Sequence, residues 1–238
     1  MVVCWAIDVS TWKPEAEEWD KKISSIQAEE QARVSKFIFE MDRKRALLGR
    51  LLIRRLVSSV FGIEEFTLGR TCNGKPELTC PAQGALSFNI SHHGNWVVIV
   101  GDESACVGVD VMSYDVPRGS KSIDDFFRMM NSSFTPREWA QIKIHEKAEM
   151  EDLKRFYQLW SLKESYIKAI GVGIGFGLQR VSFTLHDKQL PCTALLHVDG
   201  ELACDWTFDV QELDSEHCVS VAMQSKTNSI RWEILVDI

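Results

Sequence analysis

The stretch that decides the fold is W-S-L-K-E-S-Y-I-K-A-I-G, residues 160–171. Apolar residues recur there at intervals of three and four, which predicts an amphipathic α-helix with a buried stripe. Trp160, Glu164 and Lys168 lie four residues apart on a neighbouring face, so a carboxylate and an ammonium group project side by side. On spacing alone, a surface ion pair worth a few tenths of a kcal/mol is the more common interpretation. The stripe contains Leu159, Leu162, Tyr166, Ile167 and Ile170.

Two motifs upstream of this helix favour a chemical role for the Glu–Lys pair. They are F-N-I-S-H-H-G at residues 88–94 and G-V-D-V-M at residues 108–112. We expect His92, His93 and Asp110 to lie at strand ends, where loops carry chemistry. Mg²⁺ prefers carboxylate and phosphate oxygens, so Asp110 and Glu164 are candidate metal ligands. Transfer at a pyrophosphate is the reaction class that suits such a set.

Composition limits the partners of the chain. The formal charge of the 238 residues is −7, which argues against nucleic acids and anionic membranes as general partners. Residues 33–55 are an exception, because eight basic residues there meet two acidic ones, for a net charge of +6. This basic island is suited to anions.

The cysteines and the apolar runs predict a soluble protein of the reducing cytosol. The seven cysteines are odd in number and form no C-x-x-C motif, and the first residues do not resemble a signal peptide. No apolar run approaches the roughly 20 residues needed to cross a bilayer.

The order of periodic segments predicts an α+β chain in two halves, residues 1–104 and 105–238. In the first half we expect strands at residues 2–9, 66–71, 87–91 and 96–100, and a core helix that follows an N-cap at Asp42. In the second half we expect a strand at 106–111, helices at 123–130, 134–142 and 149–170, and five closing strands. Thr135, Pro136 and Glu138 predict a capping box at the start of one of these helices. The closing strands are expected at 181–185, 193–198, 204–209, 219–223 and 230–236.

One apparent motif fails. The glycines of G-V-G-I-G-F-G, residues 171–177, follow a helix and precede a strand. A dinucleotide-binding loop needs the opposite order, so we reject that interpretation. His92 and His93, taken singly, are also ordinary turn residues.

Taken together, the pieces G-K-P, I-S-H, G-V-D and W-S-L-K-E-S-Y-I-K-A-I-G resemble the 4′-phosphopantetheinyl transferases. The resemblance is to the single-chain type that activates surfactin synthetase, and in particular to its animal cytosolic branch. It extends over about residues 33–183. It implies two similar α+β halves related by a pseudo-twofold, with coenzyme A in the cleft between them. The implied reaction moves the phosphopantetheine arm of coenzyme A to a serine of a carrier protein.

The resemblance also implies roles for individual residues. Asp110 and Glu164 match the metal ligands, and Glu164, Lys168 and His92 match the catalytic positions. Coenzyme A is expected to contact Arg33, Arg70, Thr71, Gly74, Lys75, Asn89, Ser91, His92, Asp110, Glu164 and Lys168. The expected partners are acyl carrier proteins or carrier domains of the fatty-acid synthase and aminoadipate-semialdehyde dehydrogenase type. Two halves in one chain favour a monomer.

One position departs from the family pattern. Bacterial relatives carry G-V-D-x-E, whereas this chain has Met112 where the second acid would stand. A thioether is unsuited to Mg²⁺, so water or His93 must supply the third ligand. Water is favoured because imidazole is an uncommon ligand of Mg²⁺.

Two other function classes remain open at this point. The first is a non-catalytic module that binds coenzyme A or a nucleotide, in which Glu164 and Lys168 form only a surface ion pair. The second is a metal-dependent phosphohydrolase that uses His92, His93 and Asp110. Neither of them would modify a carrier protein.

Overall fold

The structure, a computed structural model, describes residues 2–81, 86–116, 119–143, 148–187, 189–225 and 230–238. Its helices and strands confirm the predicted α+β class. The chain divides into two compact units. Met1–Ala105 and Ile230–Ile238 form the first unit, and Cys106–Ser229 form the second.

The elements are numbered in chain order. The helices of the first unit are α1 (Ala16–Ser24), α2 (Ala28–Val34) and α3 (Glu40–Ser59). Its strands are β1 (Val3–Asp8), β2 (Thr67–Arg70), β3 (Pro76–Cys80), β4 (Ser87–His93), β5 (Trp96–Asp102) and β12 (Trp232–Leu235). The helices of the second unit are α4 (Ile123–Met129), α5 (Pro136–Ile142) and α6 (Glu149–Ile170). Its strands are β6 (Val107–Ser113), β7 (Val181–Leu185), β8 (Cys192–Val198), β9 (Glu201–Leu202), β10 (Thr207–Asp214) and β11 (His217–Met223).

In the first unit, helix α3 packs on a four-stranded sheet of order β12-β1-β5-β4. Strand β1 is antiparallel to β5 and parallel to β12, and β2 and β3 form a separate hairpin. The helical period of α3 turns its leucines toward the sheet, and burial contributes about 1.5–3 kcal/mol for each of them. The buried leucines are Leu47, Leu48, Leu51, Leu52 and Leu56.

In the second unit, helix α6 covers a sheet of order β6-β11-β10-β8-β7, and β9 pairs with β8. The predicted stripe of α6 is buried apart from Ile170, which is half-buried. The row of residues 160, 164 and 168 is half-buried beside that stripe. Helix α5 begins with the predicted capping box of Thr135 and Glu138. Aromatic rings complete this core, among them Phe126, Phe127, Phe134, Trp139, Phe156 and Trp160.

The end of the chain lies in a different unit from the one expected. The predicted second half ran from residue 105 to residue 238, but residues 230–238 belong to the first unit. The physical reason is strand β12, which forms a parallel ladder with β1 from Cys4–Trp232 to Ile7–Leu235. The indole of Trp5 also donates to the carboxylate of Glu233 at 2.8 Å.

Three local predictions were wrong. Helix α3 begins at Glu40 after Phe39, while Asp42 lies inside it and accepts a hydrogen bond from Arg45. Residues 76–80 form β3, where no strand was predicted, and Pro76 is tolerated because it is the first residue of the strand and needs no N–H there. Asp110 lies in the middle of β6 and not at its end. Among the described residues, no helix has both the length and the apolar character that a membrane span requires.

Candidate active site

Asp110 is a buried carboxylate in the middle of a sheet. It lies opposite Ser220 on β11, and 4% of the residue is exposed. The β-branched run ends at Val111 in the sequence, but pairing with β11 extends the strand to Ser113. Because an ionised carboxylate is seldom buried without a partner, this position calls for a nearby cation.

Helix α6 supplies that cation. The ammonium group of Lys168 donates to Oδ1 of Asp110 at 2.5 Å. Glu164 lies one helical turn before Lys168 on the same face of α6, as the four-residue spacing predicted. The structure therefore brings together Asp110, Glu164 and Lys168, which we call the acid–lysine cluster.

Gly108 allows α6 to approach β6 closely enough to build this cluster. Residues 108 and 110 share one face of β6, because side chains alternate along a strand. A Cβ atom at residue 108 would lie 2.1 Å from the carbonyl oxygen of Ser165 and 2.5 Å from the nitrogen of Ala169. Both are backbone atoms of α6, so a side chain at residue 108 would push the whole helix away. The glycine of the G-V-D motif is therefore a packing requirement of the cluster.

Glu164 lies in a half-buried position where burial and a neighbouring charge raise its pKa. Its Oε1 atom is buried and has no hydrogen-bond partner among the described residues. Burial raises the pKa of Glu164, the negative charge of Asp110 raises it further, and the positive charge of Lys168 opposes both. A carboxylate oxygen that is buried, repelled by a second acid and free of donors is a strong acceptor for a cation or a proton.

In the first unit, three arginines surround one buried carboxylate, that of Glu30. Oε2 of Glu30 accepts from Nε of Arg50 at 2.6 Å, and Nη2 of Arg70 contacts both carboxylate oxygens at 3.1 and 3.2 Å. Nε of Arg33 lies 3.5 Å from Oε1. We call these four residues the Glu30 cluster. It unites the two predicted anion-binding arginines, Arg33 and Arg70.

The residues between Arg70 and Lys75, which the resemblance assigns to coenzyme A, form the turn at the tip of the β2–β3 hairpin. The guanidinium group of Arg70 donates to the carbonyl oxygen of Gly74 at 3.0 Å. The backbone N–H of Lys75 donates to the hydroxyl of Thr71 at 3.1 Å, and Gly74 donates to the carbonyl of Thr71 at 2.9 Å. Gly74 has a φ of +82°, which favours glycine. The turn is therefore a backbone loop held by its own hydrogen bonds, with the guanidinium group of Arg70 against it.

Strand β4 carries the remaining predicted residues. Asn89 and Ser91 are buried on one face, while His92 is exposed on the other. His92 and His93 are the last two residues of β4, as the sequence predicted. The strand is at an edge of its sheet.

Comparison with known proteins identifies both parts of the chain. Residues 10–104 match the family model described as 4′-phosphopantetheinyl transferase, N-terminal, and residues 106–222 match that of the 4′-phosphopantetheinyl transferase superfamily. The L-aminoadipate-semialdehyde dehydrogenase-phosphopantetheinyl transferase of Homo sapiens is 40% identical over 98% of this chain and 78% of its own length.

The chain belongs to the 4′-phosphopantetheinyl transferase superfamily. A phosphopantetheinyl transferase of a Thraustochytrium species is 47% identical over 94% of this chain and 78% of its own. The 4′-phosphopantetheinyl transferase of Bacillus subtilis is 32% identical over 72% of each chain. The resemblance drawn from the sequence motifs is confirmed.

The acid–lysine cluster of this superfamily member fits a hard divalent cation. The carboxylates of Asp110 and Glu164 supply the oxygen ligands that Mg²⁺ prefers, and Oε1 of Glu164 is buried without a described hydrogen-bond donor. A bound cation would relieve the repulsion between the two carboxylates. Within the described ranges, no three His, Cys, Asp or Glu side chains form a metal-binding group. Met112 packs against the apolar core of the second unit, which is a suitable environment for a thioether.

Sequence reasoning missed the role of Lys163, which precedes Glu164. Its side chain is fully buried and its ammonium group lies 2.9 Å from the carboxylate of Glu138, which is also fully buried. The same nitrogen donates to the carbonyls of Leu178 at 2.7 Å and Val181 at 2.5 Å. Lys163 therefore ties α6 to the start of α5, to the segment before β7 and to the first residue of β7. The sequence signal was a lysine inside an otherwise apolar stripe.

Glu30 and Arg50 were also missed. In the sequence, Glu30 and Arg33 have the spacing of an ordinary helical ion pair. The pairing of Glu30 with Arg50 and Arg70 spans 20 and 40 residues, so no local spacing reveals it. The basic island is also partly neutralised, because Lys44 pairs with Glu40 and Arg45 with Asp42.

Proposed function

We propose that this chain transfers the 4′-phosphopantetheine arm of coenzyme A to a serine of an apo carrier protein and releases adenosine 3′,5′-bisphosphate. Family membership supports the reaction class, since the matched relatives are named phosphopantetheinyl transferases. The observation that carries the proposal is the acid–lysine cluster, in which Lys168 contacts Asp110 and the charge of Asp110 acts on Glu164.

In the proposed reaction, the serine Oγ of the carrier attacks the phosphorus that bears the pantetheine arm. A P–O bond forms to the serine and the P–O bond to the adenosine bisphosphate breaks, with its electron pair leaving on the bisphosphate. We propose that Glu164 accepts the serine proton, directly or through a water. A buried oxygen of this carboxylate accepts no hydrogen bond from the described residues, so it is open to that proton. General-base help of this kind is typically worth 10² to 10⁴ in rate.

We assign to Lys168 and His92 the stabilisation of negative charge on the pyrophosphate. Lys168 is a compact cation on the last turn of α6, and its side chain is 29% exposed, so it can reach a ligand. His92 is exposed at the end of β4 and is a second donor for a phosphoryl oxygen. Both groups would stabilise negative charge that grows on the leaving bisphosphate.

We propose that the transferase uses Mg²⁺ held by Asp110 and Glu164, with water as the remaining ligands. When bound, the ion neutralises charge on the pyrophosphate oxygens. Two protein carboxylates are sufficient for Mg²⁺, which usually keeps several waters.

Coenzyme A is proposed to bind the first unit through Arg33, Arg70 and the turn from Thr71 to Lys75. Arginine is suited to phosphate because its planar fork donates two parallel hydrogen bonds. Since the acid–lysine cluster is assigned to the pyrophosphate, the two arginines are assigned to the 3′-phosphate, the other anionic group of coenzyme A. We also assign Asn89 and Ser91 to polar contacts with the coenzyme.

The proposed partners are carrier proteins or carrier domains of the type served by the human relative. We further propose that the transferase acts in the cytosol as a monomer. All seven cysteines are free thiols, as a reducing compartment requires.

The proposal is tested by incubating the chain with a fluorescent coenzyme A analogue, an apo carrier domain and Mg²⁺. We expect a fluorescent band at the size of the carrier, which disappears with a chelator or with a carrier whose acceptor serine is replaced by alanine. Binding of the analogue without labelling would indicate a non-catalytic module. Release of a fluorescent phosphopantetheine without a protein acceptor would indicate a phosphohydrolase. Either result would overturn the proposal.

A further inference from the structure

The Glu30 cluster has more cations than its carboxylate can neutralise. Arg50 comes from α3, Arg70 from β2, and Arg33 from the same helix as Glu30. Burial raises the pKa of Glu30, but the hydrogen bond and charge of Arg50 and the charge of Arg70 hold it below the ordinary value. Glu30 is therefore an ionised carboxylate among three guanidinium groups, and the cluster keeps a net charge of +2.

The three arginines of the Glu30 cluster differ in how many of their N–H groups are already bonded to the protein. Arg50 is committed to the protein, since Nε donates to Glu30 and Nη1 donates to the carbonyl of Ala46 at 3.1 Å. The side chain of Arg33 is 54% exposed. The side chain of Arg70 is 25% exposed, so part of its guanidinium group is open to a ligand. Arg33 and Arg70 thus keep donors for a ligand, whereas Arg50 serves to hold Glu30.

The helix that carries Glu30 is itself fixed to strand β2. The side-chain amide of Gln27, which precedes α2, donates to the carbonyl of Leu68 at 2.8 Å and accepts from its N–H at 2.9 Å. This pair of hydrogen bonds sets the distance between α2 and Arg70. Glu30 then fixes the orientation of the two guanidinium groups.

We propose that Glu30 is a positioning residue for coenzyme A, which holds Arg33 and Arg70 so that both receive the 3′-phosphate. The inference rests on the proposed function. Glu30 does not touch the coenzyme, because its carboxylate is occupied by arginines and repels phosphate. Arg50 acts one step further back and keeps Glu30 in place.

Two opposing effects of Glu30 can be separated by experiment. As a negative charge it weakens the attraction of phosphate, so its removal alone would lower the KM for coenzyme A by less than about threefold in this partly exposed cluster. As an anchor it orders two long side chains before binding, and losing that order costs about tenfold in affinity. We expect the anchor to dominate, because both arginines depend on the same carboxylate.

The test compares Glu30→Gln with Glu29→Gln, which removes the same charge from the exposed neighbouring residue on α2. Each variant is assayed for carrier modification with coenzyme A and with 3′-dephospho-coenzyme A. We expect Glu30→Gln to raise the KM for coenzyme A about tenfold, with kcat within about twofold of the wild type. The KM for the dephospho form stays unchanged, because that substrate lacks the group concerned. Glu29→Gln leaves both KM values at the wild-type level.

Other outcomes contradict the inference in distinct ways. A lower KM for coenzyme A in Glu30→Gln would show that Glu30 acts only as a charge. An equal rise for both substrates would show general damage to the first unit, and an unchanged KM would show no role.

Arg50→Gln provides a second check that leaves Glu30 itself intact. We expect a smaller rise in KM that is again confined to coenzyme A, and a rise shared with the dephospho form would count against the inference. The wild-type protein must modify the carrier with coenzyme A before the variants are compared. Its failure to do so would overturn the proposed function and not the positioning role alone.

Discussion

Replacing Gly108 by alanine perturbs the acid–lysine cluster without altering any of its charged groups. The new Cβ would lie 2.1 Å from the carbonyl oxygen of Ser165. Even a tight contact of 3.0 Å then requires α6 to move away from β6 by about 0.9 Å. The hydrogen bond of 2.5 Å between Lys168 and Asp110 would lengthen to roughly 3.4 Å, beyond the usual range.

Two magnitudes follow from this displacement. Overpacking of a well-packed core typically costs about 1–3 kcal/mol, and we expect the upper end because both clashes are with backbone atoms. A misplacement of about 1 Å at a reaction centre can lower the rate about 10²-fold. We therefore expect Gly108→Ala to lose about 2–3 kcal/mol of unfolding free energy and about 10²-fold in carrier modification.

The measurements are urea unfolding followed by circular dichroism, and initial rates of carrier labelling. Gly175→Ala is the matched control, because a Cβ at that exposed glycine meets no atom within 4 Å. The control should retain wild-type stability and rate. If Gly108→Ala unfolds at the wild-type urea concentration and labels the carrier at the wild-type rate, the close packing of α6 on β6 is not what builds the cluster.

Three further predictions concern single side chains. Glu164→Gln should lower turnover at least 10²-fold. It should not lower the midpoint of thermal unfolding, because it removes a charge whose buried oxygen Oε1 accepts no hydrogen bond from a described residue. Near-normal turnover would exclude Glu164 as the base. Lys163→Met should cost about 3–5 kcal/mol of unfolding free energy, because it leaves the fully buried carboxylate of Glu138 without its cation. The control is Arg180→Gln, which breaks an exposed ion pair with Asp199 and should change stability far less. Burial raises the pKa of Asp209 to about 6, although a hydrogen bond from Gln211 partly offsets the rise. The stability linked to its protonated form is therefore present below about pH 4 and lost as the pH rises through about 6. Asp209→Asn should thus gain about 1–3 kcal/mol over the wild type at pH 8 and nothing at pH 3.5, and an equal gain at both values would contradict the assignment.

The elements that the sequence predicted best are those with strong local signals. Helix α6 spans Glu149–Ile170, the limits expected from its apolar period, and the capping box of α5 is present at Thr135. Strand limits were less accurate, because pairing with a neighbour extends a strand beyond its β-branched residues. Strand β10 was expected at residues 204–209 and lies at Thr207–Asp214, where it pairs with β11.

The candidate site was predictable where its residues share a motif or an element. Glu164 and Lys168 are one helical turn apart, so their common face follows from the sequence. The contact of Lys168 with Asp110 joins residues 58 positions apart and depends on the absence of a side chain at Gly108. Likewise, Glu30 and Lys163 are fixed by partners from other elements, and a single sequence carries no record of those distances. Family resemblance supplied the roles, and the structure supplied the partners.

The central claim is that Asp110 and Glu164 jointly hold a divalent cation beside Lys168. The most direct test is a crystal structure of the chain with coenzyme A and Mn²⁺, a Mg²⁺ substitute whose position is visible in an anomalous difference map. The account predicts one strong anomalous peak within about 2.0–2.6 Å of oxygens from both carboxylates, and its loss in Glu164→Gln. A peak bound elsewhere, or one that persists unchanged in that variant, would contradict the account.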